Sequence, residues 1–245
     1  MVKTMSALLV EQGFIFSQLD SSRLDFSNES ELNVKFLKKI LNESNWRHEW
    51  QGRLLTVGDT FWNETEWLTL CAVGGRGITE MCGYFDEENS VSLEMLDLYI
   101  SGLVRQLNRL GCKTIMSCDG EGERRSNIVF ATENDTERAA LLMAEVGLKY
   151  RVKLARKTIV ILKGREELLG FASLLNELSG NLSVISTEHL ERAVFEDVFE
   201  ELLEIPGVSG CESVIRNHVM KKLAALTDEM TVDDYGNILA EVTFG

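Results

Sequence analysis

Ser117-Cys118-Asp119-Gly120-Glu121-Gly122-Glu123-Arg124-Arg125 is the stretch where side chains able to do chemistry crowd most closely. A thiol, carboxylates and guanidinium groups share one short loop, and its glycines let the backbone turn sharply. Such a loop can present opposite charges to a small polar ligand. Cys118, Asp119, Glu121 and Arg124 are the candidate binding residues. A cation is a second possibility, although these carboxylates do not follow the twelve-residue EF-hand spacing with its terminal Glu. An exposed hairpin loop whose charges pair with one another accounts for the same residues without any ligand.

Other reactive groups are more scattered. Cys118 has no histidine near it in sequence, so a buried, inert thiol at a strand end competes with a nucleophile. The three histidines are His48, His189 and His218. Arg47-His48-Glu49-Trp50 is not His-Glu-x-x-His, because Gly52 stands where the second histidine would be. Gly74-Gly75-Arg76-Gly77 could cradle an anion through backbone amides, but it lacks the dinucleotide and Walker patterns, and a plain hairpin turn fits it. All four tryptophans, 46, 50, 62 and 67, fall close together. They could form a stacking platform, or pack a core beneath the N-terminus. No catalytic residue and no metal ligand is assigned in this chain.

The elements that must position these residues follow from hydrophobic period and turn chemistry. Residues 1–50 are polar and weakly patterned, with a loop from Asp20 to Glu31 and a short helix near Leu32–Leu41. Trp67–Val73 reads as a strand turned by Gly74–Gly77, with Ile78–Phe85 returning. Ser92 is placed to cap a helix running to Leu110 with Leu93, Leu96, Ile100, Leu103, Val104 and Leu107 on one face, and Gly111 stops it. Lys113–Cys118 and Asn127–Ala131 are short strands flanking the charged loop. Asn134 and Glu137 suggest a capping box for a helix through Val146, ended by Gly147. Lys149–Ala155 and Thr158–Leu162 make a hairpin, and a helix over Arg165–Leu178 closes the unit. The fold class expected is α+β: an N-terminal antiparallel sheet with helices on one face. Ser179-Gly180-Asn181 marks the boundary, giving domains 1–180 and 181–245. A second helix-rich stretch runs from Thr187 to Ile205, with an acidic, solvated face.

Composition bounds the classes of function. Of 245 residues, 44% are hydrophobic and 26% charged, enough for a packed core. The formal net charge is −14, which repels phosphate backbones and argues against nucleic acid as a partner. The basic residues Arg151, Lys153, Arg156, Lys157 and Lys163 alternate along one hairpin, as a solvated strand face does. The five cysteines stand singly with no Cys-x-x-Cys, so neither a disulfide framework nor a zinc knuckle is indicated and a reducing compartment fits. No apolar run reaches the ~20 residues of a membrane span. The apolar run at the N-terminus is too short for a signal peptide. A cytoplasmic protein is expected.

The tail carries a second kind of information. Pro206 ends the preceding helix. Ser209-Gly-Cys-Glu212 reads as a capping box, and Val214, Ile215, Val219, Leu223 and Leu226 fall at helical spacing as a buried face. Met230 and Val232 alternate in a strand, Asp233-Asp-Tyr-Gly-Asn237 turns with Gly236 at positive φ, and Ile238, Ala240 and Val242 alternate on return. Ile-Pro-Gly-Val-Ser-Gly-x-Glu, then a helix, then Val-Asp-x-x-Gly-Asn-Ile-Leu-Ala resembles the start of the glutamyl and deblocking aminopeptidases, which are two-zinc exopeptidases. The resemblance covers about residues 195–245. In that family the matched residues are scaffold, the first helices and edge strands of an α/β catalytic domain. The resemblance implies a parent with two zinc or similar ions held by His, Asp and Glu, a bridging water as nucleophile and a Glu as base. A His-x-Asp pair normally follows soon after the Gly-Asn turn. None of the three histidines here is followed two residues on by Asp.

Two functions follow as expectations. The chain is a truncated or fragmentary cytoplasmic metallo-aminopeptidase-like member, inactive by itself and without a cofactor of its own, whose residues 1–180 bind substrate or a partner. Alternatively it is a non-catalytic α+β module that binds a peptide or small molecule through the loop 119–125 and regulates as a homo-oligomer joined at a sheet edge.

Overall fold

Side-chain caps from Thr4, Ser30, Asn63 and Thr132 start four of the described helices. The computed structural model describes residues 1–72, 83–84, 92–120, 124–178, 195, 198–200, 202–205, 212–224, 227 and 229–241. The chain divides into two compact units, Met1–Val194 and Phe195–Gly245. The boundary expected at 180/181 falls among residues outside the described ones.

The first fifty residues are more ordered than their polarity suggests. Strand β1 (Val2–Thr4) leads directly into helix α1 (Met5–Glu11), whose Thr4 cap accepts from the Ala7 amide at 3.3 Å. Strands β2 (Ser17–Gln18) and β3 (Arg23–Asp25) precede helix α2 (Glu31–Glu43), capped by Ser30. Strands β4 (His48–Gln51) and β5 (Leu54–Val57) then complete an antiparallel four-stranded sheet in the order β2-β3-β5-β4. Strand β6 (Phe61–Asn63) pairs with β1. These strands are two to four residues long, too short for an alternation to stand out in the sequence.

The strand expected over Trp67–Val73 is helical over residues 67–71, and Val73 lies outside the described residues. Residues Glu64–Cys71 form helix α3, because Asn63 accepts from the Glu66 amide and Glu64 and Glu66 suit the positive end of a helix. Trp67 and Cys71, four residues apart, are its buried face. The Gly74–Gly77 turn lies outside the described residues. Of the expected returning strand only β7 (Gly83–Tyr84) is described, and it pairs with Ser117 and Met116. The tryptophans pack as core: Trp62 and Trp67 are buried, and the Trp46 and Trp62 rings stack 4.3 Å apart and 5° from parallel.

The helix expected over Ser92–Leu110 is broken. Ser92 makes no side-chain cap, Leu93–Met95 is a 3₁₀ turn, and Leu96 is extended. Helix α4 begins only at Ser101 and runs to Arg109. Leu93, Leu96, Ile100, Leu103, Val104 and Leu107 are all buried, so the apolar face was real but the backbone that carries it is interrupted. The break has a cause: the Asp97 carbonyl accepts from the Ile100 and Ser101 amides and so starts the helix anew.

A five-stranded antiparallel sheet follows, in the order β10-β11-β9-β8-β7. Strand β8 is Thr114–Cys118, β9 Asn127–Phe130, β10 Tyr150–Lys153 and β11 Thr158–Ile161. Ile128, Phe130, Val152, Ile159 and Ile161 are buried while Arg151 is exposed, so one face packs and the other meets solvent. Helix α5 (Glu133–Glu145) lies on β9, β10 and β11. Its cap is Thr132, not Asn134: Thr132 accepts from the Asp135 amide and donates its hydroxyl to Asp135. A 3₁₀ turn at Arg165–Glu167 leads into helix α6 (Leu168–Glu177), which packs on α1 and α4. The class is α+β, and the described residues of the first unit form two sheets and a ribbon where one sheet was expected.

One buried ion pair ties the layers. Arg105 of α4 grips both carboxylate oxygens of Glu29 at 2.8 and 2.9 Å and donates to the Gly13 carbonyl. Glu29 also accepts from the Ile15 and Ser30 amides and the Asn33 side chain, while Asn33 accepts from the Leu93 amide. A buried pair supplied with this many bonds keeps its charges without a stranded polar atom.

In the second unit, residues 198–200 and 202–204 are helical and a helix spans Ser213–Leu223. Its N-cap is Glu212, which makes no side-chain cap; Ser209 lies outside the described residues. Val214, Ile215, Val219 and Leu223 were expected to be buried, yet this helix buries no residue and Val214 is 58% exposed. The unit is small, and a two-stranded ribbon offers this helix little surface to pack against. Strands β12 (Met230–Val232) and β13 (Ile238–Ala240) pair antiparallel. Asp233 accepts from the Tyr235 and Asn237 amides, and Gly236 sits at φ 85°, where a side chain is strained.

Candidate functional site

The loop proposed from the sequence opens at the end of β8. Cys118 is half-buried and lies opposite Asn127 of β9. Asp119 is 2% exposed. Its amide donates to Asp97 Oδ2 at 3.0 Å, and its carbonyl accepts the Ser126 hydroxyl at 2.6 Å, which draws the two ends of the loop together. Gly120 sits at φ 78°, and a Cβ there would come 2.8 Å from the Arg124 carbonyl. Arg124 is exposed, and Glu121 lies outside the described residues. Of the four candidates, then, Asp119 faces inward and Arg124 faces solvent.

Asp119 is met from the inside by residues that the sequence reading did not single out. Arg165, in the 3₁₀ turn ahead of α6, brings Nη2 to 3.8 Å from Asp119 Oδ2. The Arg165 guanidinium also lies over the Tyr99 ring, 4.4 Å from its centroid. Asp97, 5% exposed, holds the Asp119 amide from the turn before α4. Two buried carboxylates, a guanidinium and an aromatic ring thus meet where β8, the 97–100 turn and the start of α6 converge. One local clue existed: an aspartate inside an otherwise apolar helical face marks a place where the helix breaks.

This cluster borders a groove of about 510 Å³. Tyr99, Arg165, Glu166 and Leu169 form one wall, and Glu64, Thr65, Leu68 and Thr69 of α3 the other. Glu64 is held by Lys3, whose Nζ is 2.7 Å from Glu64 and 2.8 Å from Glu11. Burial pushes the Glu11 carboxyl above its ordinary range, against the pull of Lys3. Burial also works against the Lys3 charge, yet its hydrogen bonds to Glu11 and Glu64 hold its pKa above the ordinary value. Burial pushes the Cys112 thiol up to about 12.

The His48 ring lies 2.9 Å from the Trp46 carbonyl through Nδ1 and 3.3 Å from Asn42 through Nε2, and His218 belongs to the other unit. Among the described residues no three His, Cys, Asp or Glu side chains gather as a metal site. No described helix is long and apolar enough to cross a membrane.

No protein-family model, no curated protein and no solved structure gives a significant match to this chain.

Proposed function

We propose that the Met1–Val194 unit is a non-catalytic binding and regulatory module that takes a small polar ligand in the groove between α3 and the start of α6. The observation that carries this reading is the Arg165 guanidinium, set on Tyr99 and braced by Asp119, on the wall of an open 510 Å³ groove. A charged fork held by a ring and a carboxylate loses little freedom when a ligand arrives. A thermal-denaturation screen of the chain against a broad panel of metabolites and short peptides tests it. A ligand that binds the folded form only must raise the melting temperature. No shift across the panel defeats the proposal.

A second reading is favoured by the second unit. Its helix, strand, glycine turn and strand follow the order that opens the aminopeptidase domain it resembles. On that reading the chain is part of a cytoplasmic metallo-aminopeptidase-like protein, the groove serves substrate or partner recognition, and the metal ligands lie in a longer parent. The five singly spaced cysteines, with no Cys-x-x-Cys, suit a reducing compartment. A His-x-Asp pair encoded soon after Gly245 supports this reading. Clear aminopeptidase turnover by the 245-residue chain with zinc, cobalt or manganese contradicts the inactivity it predicts. Neither reading calls for nucleic acid or membrane, and both accommodate a homo-oligomer.

A further inference from the structure

We infer that a second groove, separate from the one at Arg165, takes a neutral polyhydroxylated ring of the size of a hexose. Two adjoining cavities of about 360 and 190 Å³ form it, and Val10, Phe16 and Asn176 line both. Helix α1, residues 14–18 and the C-terminal turns of α4 and α6 supply the walls. None of the lining residues is shared with the groove at Arg165, so this ligand is additional to the one proposed above.

The polar lining argues for hydroxyl groups. Ser6, Gln18 and Asn176 line the larger cavity. Each of these side chains both donates and accepts, as a sugar hydroxyl does. Gln106, 1% exposed, lines the smaller cavity. Its Oε1 accepts from Arg109 Nε at 2.6 Å, which leaves the Nε2 donor for a ligand oxygen. Phe16 supplies the apolar surface between these groups. Its ring is half-buried, lies 5.5 Å from the Phe26 ring, and lines both cavities. The C–H groups of a sugar ring pack on the negative face of an aromatic ring while its hydroxyls project sideways.

The charges of the lining argue for a neutral ligand. Glu177 lines the larger cavity, and the last carbonyls of α6 form the negative end of that helix, so an anion is repelled there. Arg109 lines the smaller cavity. Its Nη2 donates to the Leu175 and Asn176 carbonyls at 3.0 and 3.4 Å, which closes the end of α6 and needs no ligand to complete it. Its positive charge beside Gln106 repels a cation. A ring whose only polar groups are hydroxyls meets neither penalty.

Saturation-transfer NMR and isothermal titration of the full chain test the inference with D-glucose, D-galactose, D-mannose and N-acetyl-D-glucosamine. D-Glucuronate, protonated D-glucosamine and cyclohexanol are the anionic, cationic and apolar counterparts. At least one neutral sugar should bind, about tenfold or more tightly than each counterpart. Phe16→Ala should weaken that sugar about tenfold by removing the ring it packs on. Asn176→Ala should weaken it about three- to tenfold by removing hydrogen bonds. Asn176 is exposed, so its variant carries the test should Phe16→Ala fail to fold. The inference is overturned if none of the neutral sugars binds, if a charged counterpart or cyclohexanol binds as well as the sugars, or if Asn176→Ala keeps full affinity.

Discussion

Glu29 and Arg105 illustrate how much one pair of residues can carry. Both are buried, and between them they satisfy the backbone at Gly13, Ile15 and Ser30. Arg105→Met would leave the Glu29 carboxylate inside without its counter-charge. We expect a loss of about 3–5 kcal/mol in urea unfolding, partly recovered in the double variant Glu29→Gln/Arg105→Met. Glu11 presents a different case, because burial raises its pKa despite Lys3. The folded chain therefore keeps this proton at pH values where the unfolded chain has lost it. Its contribution to stability is complete below the ordinary glutamate value of 4.5 and declines as pH rises through the elevated one. Relative to Glu11→Gln, the unaltered protein should lose stability across that window and then level off. Paired denaturation curves from pH 4 upward measure it, and a gap that widens in the other direction would refute the assignment.

At the scale of elements, close helix packing explains features that propensity alone does not. Gly102 lies in α4, where a helix normally favours alanine. A Cβ at this position would overlap the Glu11 carbonyl of α1 and come 2.7 Å from Ala172 of α6. Glycine is what lets the three helices approach. Gly102→Ala should destabilise by about 1–3 kcal/mol through overpacking, the reverse of its effect on an isolated helix, and chemical denaturation reads the sign directly. The same scale shows why some elements were legible in sequence and others were not. Helix α2, helix α5 and the β10–β11 hairpin have enough residues for their period to stand out, although Ser30 falls in the stretch that reads as loop and the α5 cap is Thr132 rather than Asn134. Helix α3 was mistaken for a strand because seven consecutive residues such as Trp67–Val73 contain no period that separates the two states. Asn63, the residue that decides it, stands outside that run.

For the whole molecule, the two units differ in how they are held. One continuous core from Met5 to Leu175 includes Trp62 and Trp67, whereas the helix Ser213–Leu223 buries nothing. All four tryptophans belong to the first unit, so their emission reports that unit alone. Residues 1–194 expressed separately should keep the tryptophan melting midpoint of the full chain, and residues 195–245 alone should show little ordered structure by circular dichroism. A large drop in the first midpoint would mean that the units stabilise each other. Local spacing by itself determined the α+β class, the helices α5 and α6 and the Gly236 turn, because period and positive-φ positions act over a few neighbouring residues. Only the tertiary structure decided that Asp97, Tyr99, Asp119 and Arg165 share one corner beside a groove. It also decided that Asp119 turns inward while Arg124 remains in solvent. The reason is physical: which side chains meet across a fold depends on how whole helices and sheets stack to hide their apolar faces, and a run of residues carries no record of what will be packed against it.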